Sequence, residues 1–211
     1  MMWLMQLADG VFKVDGVRVA NVYLVVTRDG ILLVDTGMPG SARRILRFIE
    51  RLGQQPRDLR DIVLSHCDID HVGSVAELRA RTGARVALHE LDAPVLSGEH
   101  APQKFGLAMV ALNRLLRFRP IAPDLRLRDG DPIGGLKVIH VAGHTAGSIA
   151  LARDDGVVFC GDALRSDKHG NVLAPDPRLA LDPAQASLSA ELIKARHPWL
   201  LLTEHGAAGS I

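Results

Sequence analysis

Two histidines and two aspartates stand within six consecutive positions of this sequence, in the segment SHCDIDHVG at 65–73. The apolar run at 61–64 predicts a buried strand before it, and the apolar spacing over 72–81 predicts a helix after it. The four polar residues therefore belong to a turn at the carboxyl end of a strand, where α/β proteins place their chemistry. Imidazole and carboxylate groups crowded on one turn suit zinc, manganese or iron.

A simpler explanation of this turn is a helix cap provided by Asp70. One cap requires one aspartate, however, whereas the turn contains two aspartates and two histidines. The segment is therefore interpreted as a metal-binding turn.

The composition limits the classes of protein to which the chain could belong. Its 211 residues are 47% hydrophobic, which is enough for one substantial core, so residues 1–211 are expected to form a single domain. The net charge is +1 with basic and acidic residues mixed throughout, which predicts no nucleic-acid binding. No membrane span or signal peptide is recognisable, and two cysteines make no disulfide framework. A cytoplasmic protein is expected, and a homo-oligomer is left open.

The order of the predicted elements indicates two similar halves. Short strands separated by Asp-Gly turns are predicted at 11–14, 22–26 and 31–34, and they suggest a largely antiparallel sheet. A helix at 41–52, the polar turn and a strand at 85–88 follow. The second half has strands at 136–141, 148–152 and 157–160, a helix at 183–196 and a strand at 199–203. Strands followed by a helix, twice over, predict two sheets face to face with helices outside.

Residues 105–118 differ from the rest because they have helical spacing and are apolar on most of the circumference. Such a helix is expected to be covered on more than one side. It could be a core helix, an oligomer contact or a lid that lines a pocket.

Three later turns carry further ligand candidates, in the segments GHTAGS at 143–148, CGD at 160–162 and EHG at 204–206. Each polar residue follows an apolar strand and adjoins glycine, so that the backbone can approach closely. One histidine after a strand is more often structural. All three turns together with the first predict a metal site.

This set of motifs resembles the metallo-β-lactamase superfamily of glyoxalase-II-like metallohydrolases. That family has His-x-His-x-Asp-His after a strand, a Gly-His-Thr-x-Gly-Ser element, an aspartate in a Gly-Asp step, a late histidine and an early Val-Asp-Thr-Gly turn, here at 34–37. The resemblance runs from about residue 10 to residue 206. It implies an α/β (α+β) fold, a four-layer αββα sandwich. The matching positions are His66, Asp70, His71, His144, Asp162 and His205.

The resemblance also implies a ligand set for two divalent metal ions, with zinc as the first choice and manganese or iron as alternatives. The first metal would take His66, Asp68 and His144, and the second Asp70, His71 and His205, with Asp162 shared. A metal-bridging hydroxide would then hydrolyse the substrate by direct attack. Asp70 is the candidate catalytic residue, which would orient the water or carry its proton to the leaving group.

Two further residues are candidates for a role beside the metals. Asp35 could hold a ligand or a loop, or it could simply cap a turn. His169, in the loop after the shared aspartate, is the candidate substrate contact. Cys67 lies between two ligands at a position that points away in this family, and Cys160 is expected to be a buried strand residue.

The substrate class follows by exclusion from what the resemblance implies. Glyoxalase-II enzymes add a C-terminal helical region that holds glutathione, whereas this sequence has six residues after His205. A zinc-cysteine β-lactamase would have cysteine at the position of Asp162, and an oligonucleotide-cleaving member would have an inserted domain and a basic groove. A small carboxylic ester, lactone or thioester is the expected substrate, with a phosphoester as a further option.

Two other functions stay open. His66, His144 and Asp162 alone form a two-histidine, one-carboxylate set, which suits a mononuclear non-haem iron dioxygenase such as the persulfide dioxygenases of the same superfamily. A catalytically silent member would use the fold as a binding module. One iron per chain with dioxygen uptake would indicate the first function, and a lack of metal the second.

Asp68 stands where the family motif has histidine. Two divalent ions bring four positive charges, and Asp68, Asp70, Asp162 and a bridging hydroxide bring four negative charges. A histidine at position 68 would leave one positive charge, so the neutral cluster should acidify its water less. The oxygen ligand also makes manganese or iron more competitive with zinc. Alternatively, the shorter aspartate misses the metal and leaves the first site weak.

The variant Asp68→His tests the charge argument. We expect the alkaline-side pH optimum of hydrolysis to move down, because the cluster regains one positive charge. The measurement is a pH–rate profile of the wild type and the variant, loaded with the same metal. An optimum that does not move down contradicts the argument.

Overall fold

The computed structural model describes residues 4–102, 111, 115–116 and 118–209. Its strands are β1 (Met5–Ala8), β2 (Val11–Lys13), β3 (Tyr23–Thr27), β4 (Gly30–Val34), β5 (Leu59–Val63), β6 (Arg85–His89), β7 (Leu125–Leu127), β8 (Pro132–Ile133), β9 (Leu136–His140), β10 (Ile149–Ala152), β11 (Val157–Gly161), β12 (Arg165–Ser166), β13 (Val172–Leu173) and β14 (Leu200–Thr203). Its helices are α1 (Ala42–Arg51), α2 (Ile69–Val72), α3 (Val75–Thr82), α4 (Ala93–Leu96) and α5 (Pro183–Lys194), and Pro56–Asp58 form a 3-10 turn.

Two sheets form the centre of the fold. The first has the strand order β1-β2-β3-β4-β5-β6-β7, with antiparallel pairs as far as β4 and parallel pairs from β4 onward. The antiparallel sheet predicted from the strands at 11–14, 22–26 and 31–34 is confirmed, because β2, β3 and β4 pair antiparallel. The parallel pairs from β4 onward involve later strands, for which no pairing was predicted. Helical connections between β4, β5 and β6 return the chain to the same end of the sheet, which parallel pairing requires. The second sheet has the order β14-β11-β10-β9-β8, in which β11 and β14 are parallel.

Alternation along β4 shows how the layers arise. Ile31 and Leu33 pack into the core beneath α1 and α3, whereas Leu32 and Val34 pack into the core between the two sheets. The outer face of the second sheet packs against α5, where Ile193 is fully buried. The order helix, sheet, sheet, helix confirms the predicted four-layer αββα sandwich.

The helix predicted over 72–81 is divided into α2 and α3. A Cβ atom on Gly73 would lie 2.3 Å from Cδ of Pro39, so only glycine allows this close approach. The Ser74 hydroxyl, beside the break, donates to the Met38 carbonyl at 2.8 Å and accepts from the Ser41 amide at 2.9 Å. The break thus binds the polar turn to the loop after β4.

Two further predictions concern the apolar helix at 105–118 and the lack of a membrane span. Most of the helix expected at 105–118 lies outside the described residues, so its role as core, contact or lid stays a prediction. Among the described residues, no helix has the length and apolar character needed to cross a membrane.

The two sheets are joined at the end where β4, β5, β11 and β14 terminate. The Tyr23 hydroxyl of the first sheet donates to the Thr203 carbonyl of the second at 2.5 Å, and the Asn21 side-chain amide donates to the same carbonyl at 2.8 Å. The Tyr23 ring packs edge-to-face on Phe159, with ring centroids 5.5 Å apart. This end of the sandwich therefore has a fixed spacing between the sheets.

Replacing Phe159 with alanine should lower the free energy of unfolding by about 3–5 kcal/mol, because it leaves a cavity between the sheets. Leu188→Ala on α5 is the matched control, because that side chain is 65% exposed. We expect the control to change stability by less than about 0.5 kcal/mol. Urea unfolding of both variants gives the comparison, and equal losses would contradict this description of the core.

Candidate metal centre

The turn between β5 and α3 places four polar side chains at one end of the first sheet. Asp68 occupies the N-cap position of α2 but makes no side-chain capping hydrogen bond, and Asp70 lies in the first turn of that helix. The helix-cap explanation of Asp70 is therefore wrong. Both aspartates are placed to interact with histidines rather than with the helix backbone.

His66, Asp68 and His144 form the first group of candidate ligands, and one ligand atom from each lies within 4.8 Å of the others. The Oδ2 atom of Asp68 is 3.1 Å from Nε2 of His144 and 3.6 Å from Nε2 of His66. The short aspartate side chain thus reaches both histidines across the gap between the two sheets.

Asp70, His71 and His205 form the second group, with the same mutual limit of 4.8 Å. The Oδ2 atom of Asp70 is 3.6 Å from Nε2 of both histidines. Asp162 lies between the groups. Its Oδ2 atom is 3.3 Å from Nε2 of His144, and its Oδ1 atom is 3.4 Å from Nε2 of His205. The structure therefore brings together all seven of the predicted ligand residues, with one carboxylate oxygen of Asp162 toward each group.

Three buried atoms at this centre lack a hydrogen-bond partner among the described residues: Nε2 of His66, Nε2 of His71 and Oδ1 of Asp162. Buried polar atoms are normally paired, and unpaired ones require an explanation. Imidazole nitrogen and carboxylate oxygen are the ligand types of zinc, manganese and iron. The residues therefore fit divalent cations held between the two groups.

Asp35 orients two of the histidines from behind. Its carboxylate accepts hydrogen bonds from Nδ1 of His71 at 2.9 Å, from the Ser65 amide at 2.8 Å and from the Ser65 hydroxyl at 2.7 Å. The Ser65 oxygen in turn accepts from Nδ1 of His66 at 3.0 Å. With protons assigned to both Nδ1 atoms, the Nε2 lone pairs of His66 and His71 point into the centre. Asp35 thus holds two of the candidate ligands in place rather than serving as a simple cap.

Two residues that orient the histidines, Asp35 and Val19, have a positive φ. Asp35 has a φ of 62°, a left-handed conformation that aspartate tolerates better than most residues. Val19 has a φ of 77°, which is costly for a β-branched side chain. The Val19 carbonyl accepts a hydrogen bond from Nδ1 of His205 at 3.1 Å and so directs Nε2 of that ring toward the centre. Sequence reasoning missed Val19, because no residue pattern reveals this backbone conformation.

The electrostatic balance of the centre favours positive charge. Burial alone would lower the pKa of His71, but the carboxylates of Asp35 and Asp162 hold it well above its usual range. The nearby carboxylate of Asp162 raises the pKa of His205 despite the partial burial of that ring. Burial would raise the pKa of Asp162, yet His71, His205 and His66 hold it below its usual range. Carboxylates that draw protons onto these rings would equally attract metal cations.

Glu204 is a further acidic residue that sequence reasoning missed. It is fully buried, and neither of its carboxyl oxygens has a hydrogen-bond partner among the described residues. Burial, followed by the charge of Asp35, raises its pKa well above the usual range, so we expect a neutral carboxyl group at neutral pH. Its place directly before His205 is the only sequence signal that could have pointed to it.

The other singled-out residues lie apart from the candidate ligands. His169 is exposed in the turn between β12 and β13, where its backbone amide donates to Asp167, and its role as a substrate contact stays a prediction. Cys67 and Cys160 are buried, and burial raises the pKa of both thiols well above the usual value. Neither thiol is therefore suited to be a nucleophile. The prediction that Cys160 is a buried strand residue is confirmed.

An αββα sandwich that gathers histidines and aspartates at the ends of both sheets defines a class of metal-binding α+β proteins. Residues 15–205 match the family model of the metallo-beta-lactamase superfamily. The chain belongs to this superfamily, as the sequence motifs predicted.

Individual relatives agree with this assignment. The chain is 30% identical over 198 residues to the Bacillus subtilis protein YobT, a match that covers 88% of this chain and 82% of YobT. It is 33% identical over 186 residues to a probable metallo-hydrolase of Mycobacterium bovis, covering 68% of this chain but only 56% of that protein. A metallo-β-lactamase variant from Cronobacter sakazakii has a similar solved structure, with a TM-score of 0.75, 27% identity and coverage of 97% of this chain and 81% of that one.

Replacing Asp35 with asparagine should weaken metal binding about 10–100-fold, because the amide cannot accept all three hydrogen bonds that orient His66 and His71. Asp124→Asn is the control, since Asp124 also accepts a backbone hydrogen bond, from Val86, but lies away from the centre. Competition with a chelator measures the zinc affinity of each protein. Wild-type affinity in Asp35→Asn would refute the orienting role.

Proposed function

We propose that the protein is a two-metal hydrolase that cleaves a small carboxylic ester, lactone or thioester. The coarser part of this statement follows from family membership and from the metallo-hydrolase name of a relative: the protein is a metal-dependent hydrolase. The dinuclear centre and the substrate class are the proposal. Zinc is the first choice of metal, with manganese or iron as alternatives.

The observation that carries the dinuclear proposal is the position of Asp162. Each of its two carboxylate oxygens lies next to a different ligand group, at 3.3 Å from Nε2 of His144 and 3.4 Å from Nε2 of His205. A carboxylate in that position can be shared by two cations. The mononuclear iron alternative uses only His66, His144 and Asp162, and it leaves the second group of Asp70, His71 and His205 without a purpose.

Two bound divalent cations would supply an acidified water as the nucleophile and a Lewis acid for the substrate carbonyl. The chain itself supplies the orientation and the proton handling. The Oδ2 atom of Asp70 lies 3.6 Å from Nε2 of both His71 and His205, and the Asp70 side chain is 20% exposed. We assign it the task of accepting the proton of the attacking water and passing it to the leaving group. No serine or cysteine nucleophile is needed.

The substrate class rests on the chemistry of the centre and on the mixed surface charge. Attack on a carbonyl suits esters, lactones and thioesters alike. Basic and acidic residues are interspersed along the chain, and the net charge of +1 favours a small molecule over a nucleic acid as the substrate. His169 is proposed as a substrate contact.

Metal analysis combined with hydrolysis assays tests the proposal. We expect two metal ions per chain in protein prepared without chelator, and hydrolysis of at least one member of a panel of simple esters, lactones and thioesters. Chelation should reduce this activity to background, and added zinc or manganese should restore it. Asp162→Ala should weaken the binding of both ions, because both ligand groups share its carboxylate.

The exposed histidine variant His197→Ala is the control for general effects of a lost imidazole. It should retain two ions and full activity. One iron per chain with dioxygen uptake would replace the hydrolase proposal by the dioxygenase alternative. A chain that binds no metal would overturn the proposal in favour of a silent binding member of the fold.

A further inference from the structure

Asp92 is a buried carboxylate that neither belongs to the candidate ligands nor serves as a helix cap. It follows β6 at the N-cap position of α4, is 1% exposed and makes no side-chain capping hydrogen bond. Instead, its carboxylate accepts three hydrogen bonds from distant parts of the chain. The donors are the Cys67 amide at 3.0 Å, the Thr145 hydroxyl at 2.9 Å and the Gly147 amide at 2.8 Å.

These three donors lie on the two loops that carry the first ligand group. Cys67 stands between His66 and Asp68, whereas Thr145 directly follows His144. The first loop belongs to the first sheet and the second loop to the second sheet. One carboxylate therefore fixes the distance between ligands that come from opposite sheets.

The second loop is built to receive this carboxylate. The Thr145 amide donates to the Ser148 hydroxyl at 3.0 Å, and the two hydroxyl oxygens are 2.8 Å apart, so the loop holds its own shape. A Cβ atom on Gly147 would lie 2.6 Å from Oδ1 of Asp92 and 2.7 Å from the Asp92 backbone nitrogen. Only glycine lets the loop approach so closely that both of its donors reach Asp92.

A carboxylate is the group that this position requires. Two backbone amides and one hydroxyl point at it, and a carboxylate accepts from all three without offering a donor of its own. An asparagine would turn an NH2 group toward at least one of these donors. That mismatch would push one loop away from the other while leaving the size of the side chain unchanged.

We propose that Asp92 is a positioning residue for the first metal ion: it sets the separation of His144 from His66 and Asp68. The inference rests on the metal-binding part of the proposed function. It predicts a selective effect, because the three donors to Asp92 are Cys67, Thr145 and Gly147, and none of them belongs to the second group of Asp70, His71 and His205.

Zinc affinity measured by competition with a chelator tests this assignment without reference to activity. We expect Asp92→Asn to lower the affinity for the first zinc ion about 10–100-fold, as is typical when a residue that orients a ligand is changed. The affinity for the second ion should be nearly unaffected. At limiting free zinc the variant should then hold one ion where the wild type holds two. Asp61→Asn is the matched control, since Asp61 is also a buried aspartate but lies in the middle of β5 and pairs with Arg85.

A milder pair of variants covers the case in which Asp92→Asn does not fold. Thr145→Val removes one of the three hydrogen bonds and should lower the affinity for the first zinc ion by a smaller factor. Thr145→Ser keeps the hydroxyl and should have an affinity close to that of the wild type. Urea unfolding of the metal-free proteins separates this effect from a general loss of stability.

Wild-type affinity for both ions in a folded Asp92→Asn variant would overturn the assignment. An equal loss of affinity for both ions, in proportion to the loss in free energy of unfolding, would also overturn the assignment, since a merely structural role predicts that result. A wild type that binds two ions but hydrolyses no substrate would refute the hydrolase proposal alone, because the positioning role is measured from affinities. A wild type that binds no zinc would overturn both.

Discussion

The structure depends on one constraint: Nε2 of His66 and Nε2 of His71 are buried together without a hydrogen-bond partner in the described part of the chain. A buried polar atom left unpaired costs about 1–3 kcal/mol, so the fold tolerates two only because other contacts hold the rings in place. Asp35 provides those contacts, directly to His71 and through Ser65 to His66. Cations held by the two ligand groups would satisfy both nitrogens, so we expect metal binding and folding stability to be coupled.

Neither sheet could build this centre alone. The first sheet supplies the turn with His66, Asp68, Asp70 and His71, and the second supplies His144, Asp162 and His205. The packing between the sheets is therefore part of the site. The hydrogen bond from Tyr23 to the Thr203 carbonyl, and the carboxylate of Asp92 between two loops, join the sheets where the ligands meet. A change in the apolar core between the two sheets would therefore change the distances between the candidate ligands.

The ligand positions could be predicted from the sequence because each follows an apolar run that marks a buried strand. The strands β7 and β8, with three and two residues, are too short to show any periodicity. The break between α2 and α3 depends on contact of Gly73 with Pro39, and the importance of Asp92 depends on donors from two distant loops. Such contacts leave no local pattern, since only the assembled fold brings the partners together.

The aspartate at position 68 shifts a balance between holding cations and activating water. Every carboxylate near the cations strengthens their attraction and also reduces the acidity of water between them. Asp68 adds one such charge to those of Asp70 and Asp162, whereas burial raises the pKa of Glu204 and so disfavours a further charge there. The charge of Asp35 is occupied by hydrogen bonds to Ser65 and His71. The proposed two-metal centre should therefore bind cations firmly and require a more alkaline solution to activate water than a relative with histidine at that position.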